Sequence, residues 1–392
     1  MRQVFVAGVG STLFGEHHDS SITELAVNAV NAAIKDAQID RNVTGALYLG
    51  NFVGGQLTGQ EVLAGLVADE ARLPCVPSTK VEGACASGGI AFRHAWLSVA
   101  AGICDVAIAV GVEKMSHATT SQVTAALNCA MDMERDGASG LSFPGLFGLA
   151  YRMYESKYGE VRQKVSSVVV KNKQNGLSNP LAQMGATVSA IEVENSMLIA
   201  DPLRLFDCCP ISDGAAAVVL TSGAYITEHL HRTGYELPVE VLGSIQTRGV
   251  PFISGHSSLC SFQATVEAVQ KIYDSTGIGP KDLDFVELHD CFSIAEILDS
   301  EDIGICPRGE GAHWAHEGRT AVGGEIPINP SGGLLAKGHP VGATGLGQVY
   351  EAVCQLRGNH PNQVRNASIG LTHNLGGTGV ACVVNLLRRA DA

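Results

Sequence analysis

A cysteine at position 85 stands in a run of small residues, Val81-Glu82-Gly83-Ala84-Cys85-Ala86-Ser87-Gly88-Gly89. An extended stretch, Pro77–Val81, precedes it, and an Ala-rich segment with helical spacing, Ile90–Ala101, follows it. We therefore expect Cys85 on a strand-to-helix turn, where the positive end of the helix would lower the thiol pKa and favour a nucleophilic thiolate. The competing interpretation is a buried cysteine that packs as a small hydrophobe. The small neighbours, which leave room for a substrate, favour the nucleophile.

A histidine occupies a second glycine-rich turn, Gly338-His339-Pro340-Val341-Gly342-Ala343-Thr344-Gly345. Such a density of glycine indicates unusual backbone angles or a close approach to a ligand. A histidine at this turn can remove a proton from a thiol or polarise a carbonyl group. His339 is thus a candidate base for Cys85. Alternatively, it only hydrogen-bonds its own loop.

A third group of polar residues, His289-Asp290-Cys291-Phe292, follows a predicted strand, Leu283–Leu288. Open parallel sheets bind ligands at the carboxyl ends of their strands. Cys291 could therefore act as a second acid/base thiol and His289 as a donor to an oxyanion. The competing interpretation is a strand-end cap with a buried cysteine. A further polar turn, His373–Gly379, is predicted between two strands and could supply backbone N–H groups to an oxyanion hole.

The elements that must position these groups recur in the same order in two halves of the chain. Each half is predicted to contain a strand, a helix, a second strand, a glycine-rich turn that leads into a helix, and then a further strand. This order is typical of a run of parallel β-α units. Two helix N-termini would then face one cleft, one carrying the thiol and the other the imidazole. The predicted elements are Gln3–Val9, Ile22–Ala37 capped by Ser20 or Ser21, Thr44–Phe52, Glu61–Ala68, Val106–Val112 and Asp213–Leu220, then Pro238–Ile245, Gln263–Tyr273, Leu283–Leu288, the helix ending at Leu356, Ala367–Leu371 and Gly379–Leu387.

Between about residues 116 and 205 the hydrophobic pattern loosens, and apolar runs become short. Helices are predicted near Leu146–Lys157 and Arg162–Gln174. We interpret this region as an excursion from the sheet that lies over the active site. The predicted domains are an N-terminal half (1–117 plus 206–236), a loop domain (118–205) and a C-terminal half (237–392).

The composition narrows the class of protein. The chain has 392 residues, of which 45% are hydrophobic and 46 are glycine, as expected for a globular α/β protein. Its net charge of −13 argues against nucleic acid or an acidic membrane as partner. Its 11 cysteines include no CxxC pair, so no metal site is predicted. The absence of a targeting segment and of a long apolar run favours a cytoplasmic protein with no membrane span.

The Cys85 turn, the Asn329-Pro330-Ser331-Gly332-Gly333 stretch and the Gly338–Gly345 turn resemble the thiolase superfamily over nearly the full length of the chain. Two-cysteine thiolases have Asn-Glu-Ala-Phe where this chain has His289-Asp290-Cys291-Phe292, and a Cys-x-Gly turn near His373. Both departures resemble the sterol-carrier-protein type, with its His-Asp-Cys-Phe motif. The resemblance implies an α/β thiolase fold, with two duplicated halves in a layered α-β-α-β-α arrangement and an inserted loop domain.

The resemblance also implies an acyl-CoA C-acyltransferase that cleaves 3-oxoacyl-CoA with CoA, or runs the reverse Claisen condensation, through an acyl-Cys85 intermediate. His339 would take the Cys85 proton and later hold the thioester oxyanion together with His289. Cys291 would move a proton at the α-carbon. Backbone N–H groups of Cys85 and of the Gly376 turn would form a second oxyanion hole. Asn329 and His373 would support these groups without touching the substrate.

Coenzyme A is implied as cosubstrate, with no permanently bound cofactor. Its pantetheine arm is expected to pass the segments Leu146–Tyr151 and Gly255–Ser258, contacting Phe147, Gly148, Ser257 and Ser258. The family implies a homodimer through the N-terminal sheets, or a tetramer. One alternative is a catalytic subunit that needs a small zinc-binding OB-fold partner. Another is a non-catalytic acyl-CoA-binding scaffold. A ketoacyl synthase is disfavoured by the Gly338-His339-Pro340 turn and Cys291.

Overall fold

The computed structural model describes residues 1–233 and 238–390. Its strands are β1 (Val4–Ser11), β2 (Ala46–Gly50), β3 (Ser78–Val81), β4 (Val106–Glu113), β5 (Leu198–Ala200), β6 (Leu203–Arg204), β7 (Gly214–Ser222), β8 (Val239–Arg248), β9 (Phe285–Glu287), β10 (Ile369–Gly376) and β11 (Ala381–Arg389). Its helices are α1 (Ile22–Ala37), α2 (Gly54–Leu57), α3 (Leu63–Glu70), α4 (Ser87–Ala100), α5 (Thr120–Asn128), α6 (Phe143–Tyr158), α7 (Arg162–Ser178), α8 (Ala190–Asn195), α9 (Gly223–Thr233), α10 (Gln263–Thr276), α11 (Ser293–Ile303), α12 (Gly311–His316), α13 (Gly333–Lys337) and α14 (Thr344–Arg357).

Helix α1 illustrates how local sequence sets these boundaries. Ser21 and Glu24 form a capping box, in which each side chain accepts a hydrogen bond from the other residue's backbone N–H group. At the other end, Gln38 adopts a left-handed conformation with φ of 53° and ends the helix. The prediction for Ile22–Ala37 is confirmed at both ends, with Ser21 as the cap.

Nine strands form one sheet in the order β3-β2-β4-β7-β1-β8-β11-β10-β9. The halves meet at β1 and β8, where the described residues pair only Phe5 with Glu240 and Val6 with Val239. From this seam outward, the strand order is β1-β7-β4-β2-β3 in one half and β8-β11-β10-β9 in the other. In the second half, Ile328 forms a parallel bridge with Val286 of β9, at the position that corresponds to β3 in the first half. The equivalent pairings have the same directions in both halves, which confirms the predicted duplication.

The sheet is mixed, so the predicted run of parallel β-α units is confirmed only for the outer strands of each half. In each half the two pairings nearest the seam are antiparallel, and the outer pairings are parallel. Strands β10 and β11 show why, because they are joined by the short turn 377–380 and pair from Ile369 with Arg388 to Gly376 with Ala381. A connection this short can join only antiparallel neighbours.

The layers follow from which helix faces are apolar. Helices α1 and α3 cover the outer face of the N-terminal strands. Helices α4 and α14 pack between the two halves and contact strands of both. Helix α10 and helix α11 cover the far face of the C-terminal strands. This gives the predicted α-β-α-β-α arrangement. The buried face of α14 includes Leu346, Val349, Val353 and Leu356, each contributing about 1.5–3 kcal/mol by the hydrophobic effect.

The predicted polar turn at His373 is partly wrong. His373, Asn374, Leu375 and Gly376 are the last residues of β10, and only 377–380 form the turn. Because alternate residues of a strand face opposite sides of the sheet, His373 and Asn374 point to opposite faces. Both side chains are buried. Polar composition suggested a loop, but tertiary hydrogen bonds satisfy these groups within a strand.

The loosely patterned region holds helices α5–α8 and the β5–β6 hairpin. The predicted helices near 146–157 and 162–174 are confirmed as α6 and α7. The division into three domains remains a prediction, and its boundary at residue 236 lies outside the described residues. Among the helices of the described residues, none has the length and hydropathy needed to span a membrane.

Candidate active site

A pocket of about 240 Å³ brings together residues from three separate parts of the chain. Cys85 lies immediately before α4, His289 and Cys291 lie just after β9, and His339 precedes α14. The Cys85 Sγ atom and one ring nitrogen from each of His289 and His339 lie within 4.8 Å of one another. The sequence therefore predicted correctly which four side chains share a pocket.

Cys85 occupies a tight turn, as predicted. A 3-10 turn, Ala84–Ala86, leads into α4, and Ala84 has a left-handed backbone with φ of 52°. Burial raises the pKa of the Cys85 thiol to about 12, although a backbone hydrogen bond from Gly377 opposes the shift. The expected lowering of this pKa is therefore wrong. The apolar side chains of Phe52, Leu127 and Ile211 line the same pocket as the thiol, and apolar surroundings disfavour its charge.

His339 is held as a neutral base. Its Nδ1 atom lies 2.7 Å from the Oγ1 atom of Thr344, which donates its own proton to the Pro340 carbonyl at 3.1 Å. With its proton on the Pro340 carbonyl, the Thr344 hydroxyl accepts from His339, and this arrangement puts the ring proton on Nδ1 and leaves a lone pair on Nε2. Burial lowers the pKa of His339 to about 3. The Nε2 atom is thus free to accept a proton from Cys85.

His289 lies edge-on to His339, with ring centroids 4.9 Å apart. Its backbone N–H group donates to the Nδ1 atom of His373 at 3.4 Å, and its own Nδ1 atom lies 3.3 Å from the Nδ2 atom of Asn374. Burial, followed by the neighbouring rings of His339 and His373, lowers the pKa of His289 well below its usual value. His289 is therefore neutral at physiological pH.

Cys291 is buried beside the same pocket. Burial raises its thiol pKa well above the usual value, and Cys209 and Cys85 raise it further. A protonated thiol at this position is a proton donor. Cys208 and Cys209, both half-buried, also line the pocket wall.

Gly376 is placed by close packing against the Cys85 turn. A Cβ atom on Gly376 would lie 2.2 Å from the Gly83 carbonyl oxygen, so only glycine fits there. This contact sets the next residue, Gly377, against the thiol, where its backbone donates a hydrogen bond to Cys85. The backbone donor nearest the nucleophile is therefore Gly377, the neighbour of the predicted Gly376.

Further buried residues hold these groups in place. Asn329 accepts a hydrogen bond from the Leu288 backbone at 2.8 Å and donates to Glu296 at 3.1 Å. His373 contacts the Thr265 hydroxyl at 2.9 Å. Both residues lie behind the pocket, as predicted.

Sequence reasoning missed three supporting residues, Thr344, Asn374 and Glu113. Thr344 lies in the same motif as His339, and Asn374 follows His373 directly, so proximity to known motifs was the available signal. Glu113 ends β4 and accepts hydrogen bonds from the backbone of Phe52 and Gly342, at 3.0 and 3.1 Å. Nothing in its local sequence distinguished it from a surface carboxylate.

The predicted coenzyme A contacts are only partly near the pocket. Phe147 lines it and stacks on Phe292 with ring centroids 4.7 Å apart. Gly148 instead faces the backbone of Asp201, whose carbonyl oxygen would lie 2.8 Å from an added Cβ atom. Ser257 is exposed and Ser258 half-buried, and neither lines this pocket. Their contact with coenzyme A remains a prediction.

The three reactive groups are also close enough together to suggest metal ligation. However, the Nδ1 atom of His289 faces an amide donor, so the proton of this neutral ring is on Nε2, the nitrogen that would have to bind the metal. The arrangement suits proton transfer and oxyanion binding better than metal binding.

Comparison with known proteins agrees with this geometry. The family model described as "Thiolase, N-terminal domain" matches residues 4–224, and "Thiolase C-terminal domain-like" matches residues 250–389. This chain belongs to the thiolase family.

The proteins that are similar to this thiolase have several different names. The thiolase described here is 43% identical to an acetyl-CoA acetyltransferase of Methanothermobacter thermautotrophicus, over 99% of this chain and 100% of the relative. It is 35% identical to human sterol carrier protein 2, over 99% of this chain and 72% of that protein. Among solved structures, the Ltp2-ChsH2(DUF35) aldolase matches with a TM-score of 0.85 and 25% identity, over 99% of this thiolase and 98% of that chain. The predicted resemblance to the sterol-carrier-protein type is confirmed.

Proposed function

We propose that this thiolase cleaves 3-oxoacyl-CoA with CoA, or condenses two acyl-CoA molecules in reverse, through an acyl-Cys85 intermediate. The observation that carries the proposal is the close approach of Cys85 Sγ to two neutral imidazole rings, within 4.8 Å. A non-catalytic acyl-CoA scaffold would need no such nucleophile–base pair. Coenzyme A enters as a cosubstrate, and no permanently bound cofactor is needed for this chemistry.

In the first half-reaction, the Nε2 atom of His339 takes the thiol proton while Cys85 Sγ attacks the 3-oxo carbon. The new S–C bond leaves an oxyanion, which the backbone N–H groups of Cys85 and Gly377 stabilise. When this oxyanion collapses, the bond between C2 and C3 breaks. The released acetyl-CoA enolate takes a proton from Cys291, while His289 and protonated His339 hold its thioester oxygen.

In the second half-reaction, CoA attacks the acyl-Cys85 carbonyl. The thiol proton of CoA is transferred to the Cys291 thiolate, and His339 returns its proton to Cys85 as the thiolate leaves. Both thiols and both rings then have their starting protonation states. His339 and Cys291 therefore each take part once as acid and once as base, as reversibility of the reaction requires.

Intact-protein mass spectrometry tests this function. Mixing the protein with acetoacetyl-CoA should add one acetyl mass to Cys85, and added CoA should remove it. The Cys85→Ser variant serves as control and should form no CoA-labile adduct. If neither acetoacetyl-CoA nor longer 3-oxoacyl-CoAs acylate the wild-type protein, with or without CoA, the proposed activity is wrong.

A second candidate is a catalytic subunit that needs a small zinc-binding OB-fold partner. Two observations favour considering it. The name of the Ltp2-ChsH2(DUF35) aldolase pairs a thiolase-like chain with a second component. Leu198 and Ile199 of strand β5 and the preceding Met197 are also exposed consecutive apolar residues, beside a two-stranded ribbon. Exposed apolar strand edges favour association with another chain. Full turnover by the purified chain alone would contradict this candidate.

We also propose a homodimer formed through the N-terminal half. Strand β3 pairs with β2 and, within the described residues, is the edge of the sheet on this side. Its unpaired backbone groups would allow the β3 strands of two copies to pair. Light scattering should give twice the chain mass, or four times for a tetramer, and a monomer would contradict the proposal.

The 11 free cysteines support a reducing, cytoplasmic location.

A further inference from the structure

Asn374 connects the nucleophile turn to the His289 ring. Its side chain is buried, on the face of β10 opposite to His373. The Nδ2 atom donates to the Cys85 carbonyl at 3.0 Å and lies 3.3 Å from the Nδ1 atom of His289. The Oδ1 atom accepts from the Gly89 N–H group, in the first turn of α4, at 3.1 Å.

These backbone contacts leave Asn374 only one orientation. The Gly89 N–H group can only donate, so it requires the amide oxygen. The Cys85 carbonyl can only accept, so it requires the amide nitrogen. Rotating the amide by half a turn would break both hydrogen bonds and bury two mismatched pairs, so the backbone of the Cys85 turn fixes which atom faces His289.

The fixed amide in turn determines the tautomer of His289. An amide nitrogen facing Nδ1 can only donate, so Nδ1 must be the unprotonated nitrogen of the neutral ring. The ring proton then lies on Nε2. In contrast, Thr344 places the proton of His339 on Nδ1. The two rings at the thiol therefore have opposite tautomers, one donating through Nε2 and the other accepting.

We propose that Asn374 is a positioning residue that keeps His289 as a permanent Nε2–H donor for the thioester oxygen of the acetyl-CoA enolate. This inference rests on the proposed function and assigns a different role to each of the two histidines. His339 becomes a donor only after it has taken the Cys85 proton, whereas His289 is a donor before the substrate arrives. A donor oriented before the charge develops needs no reorganisation in the transition state.

Two partial reactions, acetyl exchange and deuterium uptake, separate this role from a merely structural one. Exchange of the acetyl group between acetyl-CoA and labelled CoA requires Cys85 and its backbone donors but forms no enolate. Uptake of solvent deuterium at the α-carbon of acetyl-CoA requires the enolate but no carbon–carbon bond formation. We expect Asn374→Ala and Asn374→Asp to slow deuterium uptake and acetoacetyl-CoA cleavage by about 100-fold, with acetyl exchange within about threefold of wild type.

Asn385 provides a matched control on the neighbouring strand. Asn374 and Asn385 are each only 1% exposed, and Asn385 contacts Thr372 and Ser244, away from the pocket. Asn385→Ala should leave acetyl exchange and deuterium uptake at wild-type rates. A double-mutant cycle adds a second test, because Asn374→Ala should cost little further activity in a His289→Ala background if Asn374 acts through His289.

The ring tautomer can be measured without activity. In protein labelled with ¹⁵N-histidine, the His289 signals should show a protonated Nε2 in the wild type and lose this preference in Asn374→Ala. Equal loss of acetyl exchange and deuterium uptake in folded Asn374→Ala, or a protonated Nδ1 in the wild type, would overturn the inference. If wild-type Cys85 is never acylated but the Nε2–H tautomer is found, the proposed function fails and the assignment of the tautomer stands.

Discussion

The Oγ1 atom of Thr344 lies 2.7 Å from the Nδ1 atom of His339 and donates its own proton to the Pro340 carbonyl. This pair of hydrogen bonds gives His339 the tautomer that a base for Cys85 requires. Thr344 begins α14, the helix that follows the His339 turn. The hydrogen bond from Nδ1 therefore holds the His339 ring, which lies in a loop, against a residue of a helix. The relationship makes the basicity of His339 at Nε2 dependent on one hydroxyl group.

Replacing Thr344 with valine should therefore slow the acylation of Cys85. Valine has a similar shape but cannot accept from Nδ1, so the ring loses a hydrogen bond worth about 1 kcal/mol and its preferred tautomer. We expect the rate of acyl-enzyme formation in rapid-quench mass spectrometry to fall about 5-fold, as this free energy predicts. Thr344→Ser retains the hydroxyl and should keep the wild-type rate. Equal rates in the valine and serine variants would contradict this role.

The protonation state of Cys85 gives a pH prediction. Because burial raises its thiol pKa to about 12 and lowers the pKa of His339 to about 3, both groups are neutral in the resting enzyme. The difference in ultraviolet absorbance between the wild type and Cys85→Ser should therefore show no thiolate band at neutral pH. The band should appear only as the pH approaches about 12. A thiolate band at neutral pH would instead indicate a thiolate–imidazolium pair.

Gly376→Ala should disable the site without a change in the reacting groups. The added methyl group would lie 2.2 Å from the Gly83 carbonyl oxygen, so the Cys85 turn and the end of β10 must separate. We expect acylation by acetoacetyl-CoA to fall at least about 100-fold, comparable to the loss of an oxyanion-hole donor. Gly358→Ala is a useful comparison because that glycine has open space around it, although its φ of 76° adds strain. Unchanged acylation in Gly376→Ala would refute the close contact.

A buried ion pair anchors the His339 turn and should control acid stability. Lys337, two residues before His339, contacts Glu351 at 2.5 Å, and His360 contacts the same carboxylate at 2.9 Å. Burial alone would raise the pKa of Glu351, but Lys337 and His360 outweigh it and lower the pKa to about 2. A lowered folded-state pKa stabilises the protein above the ordinary value of 4.5 and loses that contribution as the pH falls towards about 2.

Glu351→Gln should therefore destabilise the protein at neutral pH and remove part of its acid sensitivity. Leaving Lys337 buried without its partner costs about 3 kcal/mol. Urea unfolding across the acidic range should show a flatter pH dependence for Glu351→Gln than for the wild type. Glu267→Gln, at an exposed pair with Lys271, should change neither quantity measurably. Parallel pH curves for Glu351→Gln and the wild type would contradict the linkage.

The apolar pocket wall leads to a prediction about acyl length. Phe52, Leu127 and Ile211 are half-buried and line the same pocket as the thiol, and its cavity of about 240 Å³ is many times the roughly 10–15 Å³ that one water molecule needs. An acyl group longer than acetyl should therefore fit. Leu127→Trp should reduce kcat/KM for a long 3-oxoacyl-CoA about 10-fold more than for acetoacetyl-CoA, because the larger side chain fills that space. Equal losses would place the long acyl group elsewhere.

Local sequence determined much of the framework. The alternation of apolar periods with glycine-rich turns predicted α1, α6, α7, α10 and the duplicated order of elements, because such signals depend on neighbours within a few residues. The Cys85, His289, Cys291 and His339 motifs predicted side chains that share one pocket in the structure, because each lies at a turn or strand end where a helix or a ligand must approach. These assignments needed no knowledge of long-range contacts.

Only the tertiary structure decided the electrostatics of the site and the identity of its supporting residues. The sequence suggested a lowered pKa for Cys85 from the adjacent helix, but burial in a pocket that residues from distant parts of the chain line raises it. Asn374 lies 289 residues from Cys85 in sequence but 3.0 Å from its carbonyl, so no local pattern could assign its role. Proton positions and pKa values depend on which groups meet in the folded chain, and that information is spread over both halves of the duplicated fold.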